Sequence, residues 1–181
     1  MSLGDRMVGD GVCAEPWSEE HRADVKAACS EDDAIWPIYS VSCDPEHFDA
    51  TIDALLARPD AETFVLFEGD ELVGMSSFLR IDERNEVLEI GFTYYRPAYR
   101  GTGVNRRIKD MMIRRAIACG FNRIEFRVDQ RNKRSQAAMA KLGAHREGVR
   151  RADTITWTGH VRDTVVFSIL KDEWPTAQTG S

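Results

Sequence analysis

The sequence predicts an α/β (α+β) domain built on one mixed, mostly antiparallel, twisted sheet of about six to seven strands, flanked by about four helices. Three apolar segments between residues 63 and 93 are joined by short polar turns, which predicts an antiparallel meander. A strand, a helix and a second strand follow between Glu89 and Val128, and such a crossover favours two parallel neighbouring strands. Two further alternating segments predict a closing hairpin around Thr158–His160.

Composition narrows the class of protein. The chain has 181 residues, of which 43% are hydrophobic and 30% charged, as is typical of a globular domain with a substantial core. The net charge of -6 argues against a nucleic-acid-binding surface. No apolar segment reaches membrane-spanning length, and the N-terminus lacks a signal-peptide core. We therefore expect a cytoplasmic protein with no nucleic-acid partner and no membrane partner.

Cysteine and histidine follow no metal-binding pattern. The four cysteines include no Cys-x-x-Cys pair, and no two of the four histidines have helical metal-ligand spacing. We interpret the cysteines as reduced thiols, and Cys119, on an apolar helix face, as a core residue. The sequence therefore predicts no metal site.

The first half of the chain supplies strands and two helices. Gly11–Glu15 has the pattern of a first strand. Ser18 is a typical N-cap for a helix that ends near Cys29, and Asp44-Pro45 predicts the start of a helix that ends near Ala57. The strands of the meander are predicted at Thr63–Phe67, Leu72–Ile81 and Val87–Thr93.

The second half continues with a helix whose apolar residues lie on one face, followed by alternating strands. Gly120 and Gly143 are typical helix-ending residues. The predicted elements are a helix at Gly103–Ala118, a strand at Ile124–Val128, a helix from Asn132 to Leu142, and the hairpin strands Val149–Trp157 and Val161–Leu170.

A glycine turn between a strand and a helix carries the main functional signal. Residues 88–92 alternate as in a strand, Pro97 ends the strand, and a helical pattern starts at Val104. The unpaired N–H groups at a helix N-terminus, together with the helix dipole, favour a bound phosphate. Arg100, which lies just before the glycines, is a candidate counter-charge.

Two common phosphate-binding motifs do not fit this turn. A Walker loop requires Lys followed by Ser or Thr after its last glycine, whereas Val104 and Asn105 follow Gly103. A dinucleotide fingerprint requires a third glycine at the position of Arg106. A tight strand-to-helix turn that binds nothing stays open as the structural alternative.

Arg100–Asn105 resembles the acyl-CoA loop of the GCN5-related N-acetyltransferases (GNAT), Arg/Gln-x-x-Gly-x-Gly/Ala. Asn105 departs from the usual Gly or Ala, although Asn is familiar there in the ribosomal-protein-alanine N-acetyltransferase (RimJ/RimL-like) branch. The resemblance covers about residues 10–175 and implies the GNAT fold, with acetyl-CoA as cosubstrate. Three further segments carry it in the same order, the last of them resembling the final strand of that branch: Glu89–Phe92, Asn132–Ala144 and Arg162–Leu170.

The resemblance also implies how the cosubstrate is held. The loop backbone would hold the CoA pyrophosphate, and the edge of the preceding strand would pair with pantetheine and polarise the thioester carbonyl. Asn132 would contact the cofactor, although a role as a helix cap alone also explains this residue. The candidate cofactor-binding residues are Gly91, Phe92, Thr93, Arg100, Gly101, Thr102, Gly103, Val104, Asn105 and Asn132.

Glu89 and Ser135 are the candidate catalytic residues. Ser135 is the family-like proton donor for the departing thiolate, because residues 138–142 contain no tyrosine; the alternative is that it extends the helix cap. Glu89 lies opposite in strand phase to Leu88 and Ile90 and is the candidate general base, with a solvated ion pair to an arginine as the alternative. At pH 7 an α-amine costs only about 1 kcal/mol to deprotonate, and a lysine-type amine about 4–5, so a weak base suffices for N-termini.

The sequence thus predicts an acetyl-CoA-dependent N-acetyltransferase that transfers acetyl directly to a primary amine at a protein N-terminus of the ribosomal-protein type. Because no cysteine lies in the motifs, we expect no covalent enzyme intermediate. The alternative acceptor is a small-molecule amine such as a polyamine, an amino acid or an antibiotic. Two other classes stay open: a non-enzymatic acyl-CoA-binding regulatory module, and a nucleotide-phosphate binder that shares only the loop.

For domain organisation, we expect a flexible N-terminus at residues 1–10, the acetyltransferase domain at 11–175 and a C-terminal tail at 176–181. The first two helices and the closing hairpin are expected to build the amine side of the site, as the resemblance implies. Aromatic residues in these segments do not identify a substrate. A homodimer stays open as an oligomeric state.

Overall fold

Eight strands of the computed structural model, which describes residues 1–175, form one sheet covered by four α-helices. Of the two hairpin strands, Val161–Leu170 matches the predicted segment, whereas the first begins earlier than expected, at His145, and ends earlier, at Ile155. The strands are β1 Met7–Gly9, β2 Val12–Pro16, β3 Glu62–Glu68, β4 Glu71–Asp82, β5 Val87–Tyr95, β6 Arg123–Asp129, β7 His145–Ile155 and β8 Val161–Leu170.

The strand order across the sheet is β1-β2-β3-β4-β5-β6-β8-β7. Every neighbouring pair is antiparallel except β5 and β6, which are parallel because a helical crossover joins them. The predicted mixed, mostly antiparallel α/β fold is therefore confirmed, with eight strands instead of six or seven.

The additional strand lies at the N-terminus, where flexible residues were predicted. Met7–Gly9 pairs with Val12–Ala14, so the sheet begins before the predicted domain boundary at residue 11. Asp10 and Gly11 form the connecting turn at φ of 45° and 74°, the conformation that an Asp-Gly hairpin turn requires. This dipeptide was the signal for the missed hairpin. The predicted tail at 176–181 lies outside the described residues.

The first two helices begin later than predicted because polar side chains organise turns ahead of them. The Ser18 hydroxyl accepts the Glu20 N–H, but it caps a single 3-10 turn that precedes the first α-helix. The Asp44 carboxylate accepts the N–H groups of Glu46 and His47, both at 3.0 Å. Within residues 1–175, no helix is long and apolar enough to cross a bilayer. The α-helices are α1 Arg22–Cys29, α2 Phe48–Leu56, α3 Val104–Ala118 and α4 Lys133–Leu142.

The helices cover the two faces of the sheet unequally. α3 and α4 pack on one face, where Ile108 and Met112 join Leu88 and Ile90 in the larger core. α1 and α2 pack on the opposite face over β3 and β4, around the buried Trp36. The face of β6, β8 and β7 that lies beside α2 carries polar side chains. Side chains alternate along a strand, so Glu89, which lies between Leu88 and Ile90 on β5, points to this second face.

Candidate active site

A cleft opens where β5 and β6 separate. The two strands pair only from Val87–Glu89 to Arg123–Glu125. Beyond this point β6 stays paired with β8, whereas β5 follows β4. The resulting cavity has a volume of about 1520 Å³ and is lined from both faces of the sheet. An edge of β5 is therefore accessible inside the sheet, as the predicted pairing with an extended ligand requires.

A β-bulge bends β5 at the cleft. The register runs from Ser77–Gly91 to Met75–Tyr94, so two residues of β5, Phe92 and Thr93, face the single residue Ser76. Phe92 has φ of 49°, which is uncommon for a non-glycine residue. Bulges of this kind redirect the backbone beside many active sites. The alternating pattern of the sequence gave no sign of this bulge, because Phe92 continues the apolar period.

The glycine loop leaves open space and free backbone donors at the start of α3. Gly101 and Gly103 have φ of 82° and 91°, and a Cβ added at either position would meet no atom within 4 Å. The N–H groups of Gly103 and Asn105 donate to no acceptor within the described residues. Such donors, at the positive end of a helix dipole, suit a phosphate.

Not every predicted loop residue faces the cavity. Arg100, Gly101, Gly103 and Asn105 line it. Thr102 instead donates its hydroxyl to the Tyr99 carbonyl at 2.8 Å. The Val104 side chain is fully buried in the core, so any part these two residues play in holding a ligand must come from their backbone.

The side chain of Arg100, the candidate counter-charge, already contacts other parts of the protein. Its Nε donates to the Tyr95 carbonyl at 2.9 Å, its Nη1 pairs with Asp32, and its guanidinium lies 5.5 Å from the centre of the Tyr94 ring. Of the Arg100 nitrogens, Nη2 is the one that is buried without an acceptor among residues 1–175. Arg100 therefore fixes the end of β5 to the segment after α1 and leaves one nitrogen for a ligand.

The start of α4 places Asn132 and Ser135 on the opposite wall of the cavity. The Asn132 side-chain oxygen accepts the Ser135 N–H at 2.9 Å, so Asn132 does cap the helix. The Ser135 hydroxyl makes no hydrogen bond to the described part of the chain. Because the cap uses only the backbone of Ser135, this hydroxyl stays available in the cavity.

Glu89 lies in the cavity wall on the face of α2. It is 8% exposed, and its Oε2 is 3.1 Å from Arg80 Nε and 3.5 Å from Arg127 Nε. Burial raises the pKa of Glu89, although Arg127 and Arg80 favour its charged form. The predicted ion pair is thus present, but it is buried. A Cβ on Gly91 would lie 2.6 Å from Glu89 Oε1, so a larger residue at this position would displace the Glu89 carboxylate.

Lys109 of α3 is a site residue that sequence reasoning missed. It lines the cavity from the opposite face and is only 5% exposed. Its Nζ lies 2.9 Å from Thr93 Oγ1 and 5.6 Å from the centre of the Phe126 ring, and Thr93 Oγ1 is 2.7 Å from Ser76 Oγ. Burial lowers the pKa of Lys109 to about 7. Lys109 thus holds the bulge through a side-chain hydrogen bond.

A sequence signal for Lys109 existed. It lies three and seven residues before Met112 and Ala116, two members of the apolar stripe of α3, so it borders that stripe. A lysine next to a buried helix face extends its apolar stem inward. Such a position predicts a buried amine, which in this case lies at the separation of β5 and β6.

The second face of the cavity is closed by the segment after α1 and by the last hairpin. The Tyr39 hydroxyl donates to the Thr93 carbonyl at 2.8 Å. Trp157, in the turn between β7 and β8, donates its ring N–H to the Trp36 carbonyl at 3.0 Å, and its ring lies 5.2 Å from that of His47. α2 and the hairpin contribute residues to the cavity wall, Thr51 and Thr154 among them, whereas α1 contributes none and the segment after it takes that place.

Comparisons with known proteins agree with this architecture. An uncharacterized N-acetyltransferase of Bacillus licheniformis, p20, is 28% identical over 112 residues, which are 62% of this chain; the chain spans about 62% of that relative's length. A probable acetyltransferase of the GNAT family from Chromobacterium violaceum superposes with a TM-score of 0.87 at 27% identity, covering 94% of this chain and 88% of that one.

Mycobacterium smegmatis RimJ, solved in complex with CoA-disulfide, superposes with a TM-score of 0.79 at 19% identity, covering 91% of this chain and 84% of that one. At this identity the likeness concerns the fold. The family profile described as acetyltransferase (GNAT) domain matches residues 12–145. These residues are most of the chain and include β5, the glycine loop and α4, and the chain therefore belongs to the GNAT acetyltransferase-domain family.

Proposed function

We propose that this protein transfers the acetyl group of acetyl-CoA to an α-amine, at the N-terminus of a protein or peptide. The observation that carries the proposal is the cleft between β5 and β6, where a bulged strand edge and the buried Glu89 lie on one cavity. The GNAT family uses acetyl-CoA as cosubstrate, and the RimJ neighbour was solved with a CoA disulfide.

The residues present fit acetyl-CoA. The free N–H groups of Gly103 and Asn105 and the unpaired Nη2 of Arg100 would hold the pyrophosphate. The open edge of Gly91, Phe92 and Thr93 would hold the pantetheine arm, as an added strand pairs with a sheet edge. Acetyl-CoA supplies an acetyl thioester, an activated acyl group, to the cleft.

Each catalytic candidate can then act on one proton. Glu89 would accept the proton that the amine loses as its nitrogen forms the new C–N bond. The Ser135 hydroxyl would give a proton to the sulfur when the C–S bond breaks. The bulge backbone, fixed by Lys109 through Thr93, would polarise the carbonyl. Attack on the thioester is direct in this scheme, without a covalent enzyme intermediate.

The electrostatics of the cavity favour an α-amine over a polyamine. Arg127 and Arg80 oppose the rise in the pKa of Glu89 that burial causes, so they limit the strength of this carboxylate as a base. A weak base suffices for an α-amine, which costs about 1 kcal/mol to deprotonate at pH 7, compared with about 4–5 for an alkylamine. The arginines that line this face would also repel a polycation.

The first test is the thermal midpoint of unfolding with acetyl-CoA, CoA and ADP, because a ligand that binds only the folded state must raise it. We expect a clear rise with acetyl-CoA and little with ADP. Free-thiol release with N-terminal peptides, compared with spermidine, then tests the acceptor. Faster turnover of spermidine would replace the α-amine proposal by a small-molecule one.

A midpoint that rises with acetyl-CoA, in a protein that acetylates no amine, would favour the regulatory module. No rise with saturating acetyl-CoA would remove the proposal. A cytoplasmic location and a homodimer stay predictions.

A further inference from the structure

Two arginines beside Glu89 carry hydrogen-bond donors that the described residues do not use. Arg127 of β6 has a side chain that is 18% exposed; its Nη2 lies 3.2 Å from Glu125 Oε2, and its Nε lies 3.5 Å from Glu89 Oε2. This Nε is buried and makes no hydrogen bond within residues 1–175. A buried donor without an acceptor is costly and needs an explanation.

Arg162 of β8 is the second arginine, and it lies against the first. Its Nη2 donates to the Arg127 carbonyl at 3.2 Å, and its Nε donates to Thr164 Oγ1 at 3.0 Å. No carboxylate of residues 1–175 lies within salt-bridge distance of it. Burial lowers the pKa of Arg162. Arg162 lines the cavity, and its Nη1 donates to no acceptor within residues 1–175, although Asp129, Glu89 and Asp153 favour its charged form from a greater distance.

Two of the carboxylates whose charge acts on Arg162 form ion pairs with other arginines, as Glu89 does with Arg80. Asp129 pairs with Arg131 at 2.8 Å, and Asp153 pairs with Arg150 at 3.0 Å. Neither carboxylate neutralises Arg162 by direct contact.

We propose that Arg162, together with Arg127, forms an anion subsite, and that the preferred acceptor is an α-amine that also carries a carboxylate. A guanidinium binds a carboxylate through two parallel hydrogen bonds, which fixes the position of the ligand as well as its charge. Arg127 contacts Glu89 through its side chain and Arg162 through its backbone. An amine at Glu89 would thus lie next to an acid at Arg162.

The inference rests on the proposed transfer to an α-amine and narrows its substrate. The carboxylate has two sources: the α-carboxylate of a free amino acid, or an Asp or Glu side chain at the start of a peptide. Both present the same group at a short distance from the amine. The experiment separates them.

The test compares kcat/KM within pairs of acceptors that differ only in a carboxylate and its amide. Alanine against alaninamide tests the free amino acid, and a C-terminally amidated tripeptide beginning with Asp against one beginning with Asn tests the peptide. We expect a preference for the carboxylate of about tenfold or more in one pair, as for a charge-assisted hydrogen bond. The pair that shows it identifies the source, and a preference found only in the alanine pair would replace the peptide N-terminus by a free amino acid as the acceptor.

Two variants locate the preference. Arg162→Gln should reduce the ratio of kcat/KM for the carboxylate to that for the amide to about one. Arg162→Lys, which keeps the charge without the planar guanidinium, should retain part of the preference. Arg58→Gln is the matched control, because Arg58 lines the same cavity but is already held by Asp60 at 3.0 and 2.8 Å. The control should keep the full preference. Thermal midpoints without ligand check that each variant is folded.

Equal kcat/KM within both pairs, or a preference that survives Arg162→Gln, overturns the subsite while leaving acetyl transfer intact. If no α-amine is acetylated, the subsite is tested by peptide binding instead of turnover. With CoA present, an N-acetylated tripeptide amide beginning with Asp should raise the thermal midpoint more than its Asn counterpart does, in the wild type and not in Arg162→Gln. That result supports the subsite after the proposed function has failed. No difference between the two peptides, together with no difference between N-acetylalanine and N-acetylalaninamide, overturns it.

Discussion

The two sides of the cleft are built from different materials. The loop side, which consists of residues 91–93, 100–105 and 132–135, offers mainly backbone: free N–H groups, a bulged strand edge and two helix N-termini. The arginine side, which consists of Glu89, Arg127 and Arg162, offers charged side chains from three strands. The loop side suits a ligand that is always the same, such as a cosubstrate. On the arginine side, a single substitution can change which acceptor is preferred.

This difference has a physical basis. Backbone donors need only the correct φ and ψ values, which glycines and a helix start provide within a few neighbouring residues. Charged side chains need partners, and these come from distant parts of the chain. Substitutions on the arginine side should therefore leave ligand binding by the loop side unchanged.

The largest effect is expected for Lys109→Met, and it concerns the free energy of unfolding. Lys109 is buried on the α3 face of the sheet and holds the bulge through Thr93. The pKa of Lys109 is about 7 in the folded protein and near 10.5 when unfolded, so the unfolded state binds more protons between these values. The free energy of unfolding of the wild type should therefore rise with pH from about 7 to 10.5, by roughly 3 to 5 kcal/mol from this group.

In Lys109→Met this rise should be absent. Denaturant unfolding at several pH values between 6.5 and 10 measures it, with tryptophan fluorescence as the signal. The variant should also show slower acetyl transfer, because Thr93 loses its hydrogen bond. Parallel pH curves for the two proteins would show that Lys109 is not buried as a neutral amine.

The second effect is on catalysis alone. Glu89→Gln keeps the shape of the side chain but cannot accept a proton, so kcat/KM should fall by about 100-fold at pH 7. The rise in thermal midpoint with acetyl-CoA should not change, because Glu89 does not belong to the loop side. Glu125→Gln is the control, since Glu125 faces Glu89 in register on β6 and also pairs with Arg127. Unchanged turnover in Glu89→Gln would favour a base other than Glu89.

A smaller loss is expected for Ser135→Ala. The hydroxyl is the proposed proton donor, whereas the helix cap uses the Ser135 N–H, which alanine retains. We expect kcat to fall by at least about tenfold with unchanged thermal stability. Steady-state kinetics at saturating acetyl-CoA measures this. If kcat is unaffected, Ser135 acts only as part of the helix start.

The smallest effect concerns stability. Asn132→Ala removes the side-chain acceptor of the α4 cap and should lower the free energy of unfolding by about 1 kcal/mol, whereas Asn132→Ser should restore most of it. Comparing acetyl-CoA binding by Asn132→Ser with that by the wild type separates the two predicted roles. Equal affinity would leave Asn132 as a cap and nothing more.

The features that could be predicted from the sequence are the local ones. Asn132 as a cap, the start of α3 after Gly103, and the parallel pairing of β5 with β6 all follow from short patterns, and all are confirmed. Asp10-Gly11 is an equally local signal for a hairpin turn, and the turn places residues 7–9, within the segment predicted to be flexible, in the sheet.

The features that could not be predicted depend on contacts between distant residues. Arg100 is paired with Asp32, 68 residues away in the sequence, and no short pattern connects the two. The contact between Arg162 and Arg127 arises from the pairing of β8 with β6, whose register is fixed only in the folded sheet. The bulge at Phe92 likewise depends on Ser76 of the neighbouring strand. The ion pairs and hydrogen bonds of these side chains thus depend on strand pairing, which short sequence patterns do not determine.

The separation of β5 from β6 also affects how the protein avoids self-association. An exposed strand edge is a template for intermolecular pairing and aggregation, so natural proteins shorten, charge or cover such edges. The open edge of β5 lies within the sheet, between β4 and the continuing β6–β8 pair, and Tyr39 contacts the same strand at the Thr93 carbonyl. A narrow, extended molecule can reach this edge, whereas the β-sheet of another protein is too wide to do so. The protein can therefore keep a strand edge permanently available to its ligand without exposing it to other chains.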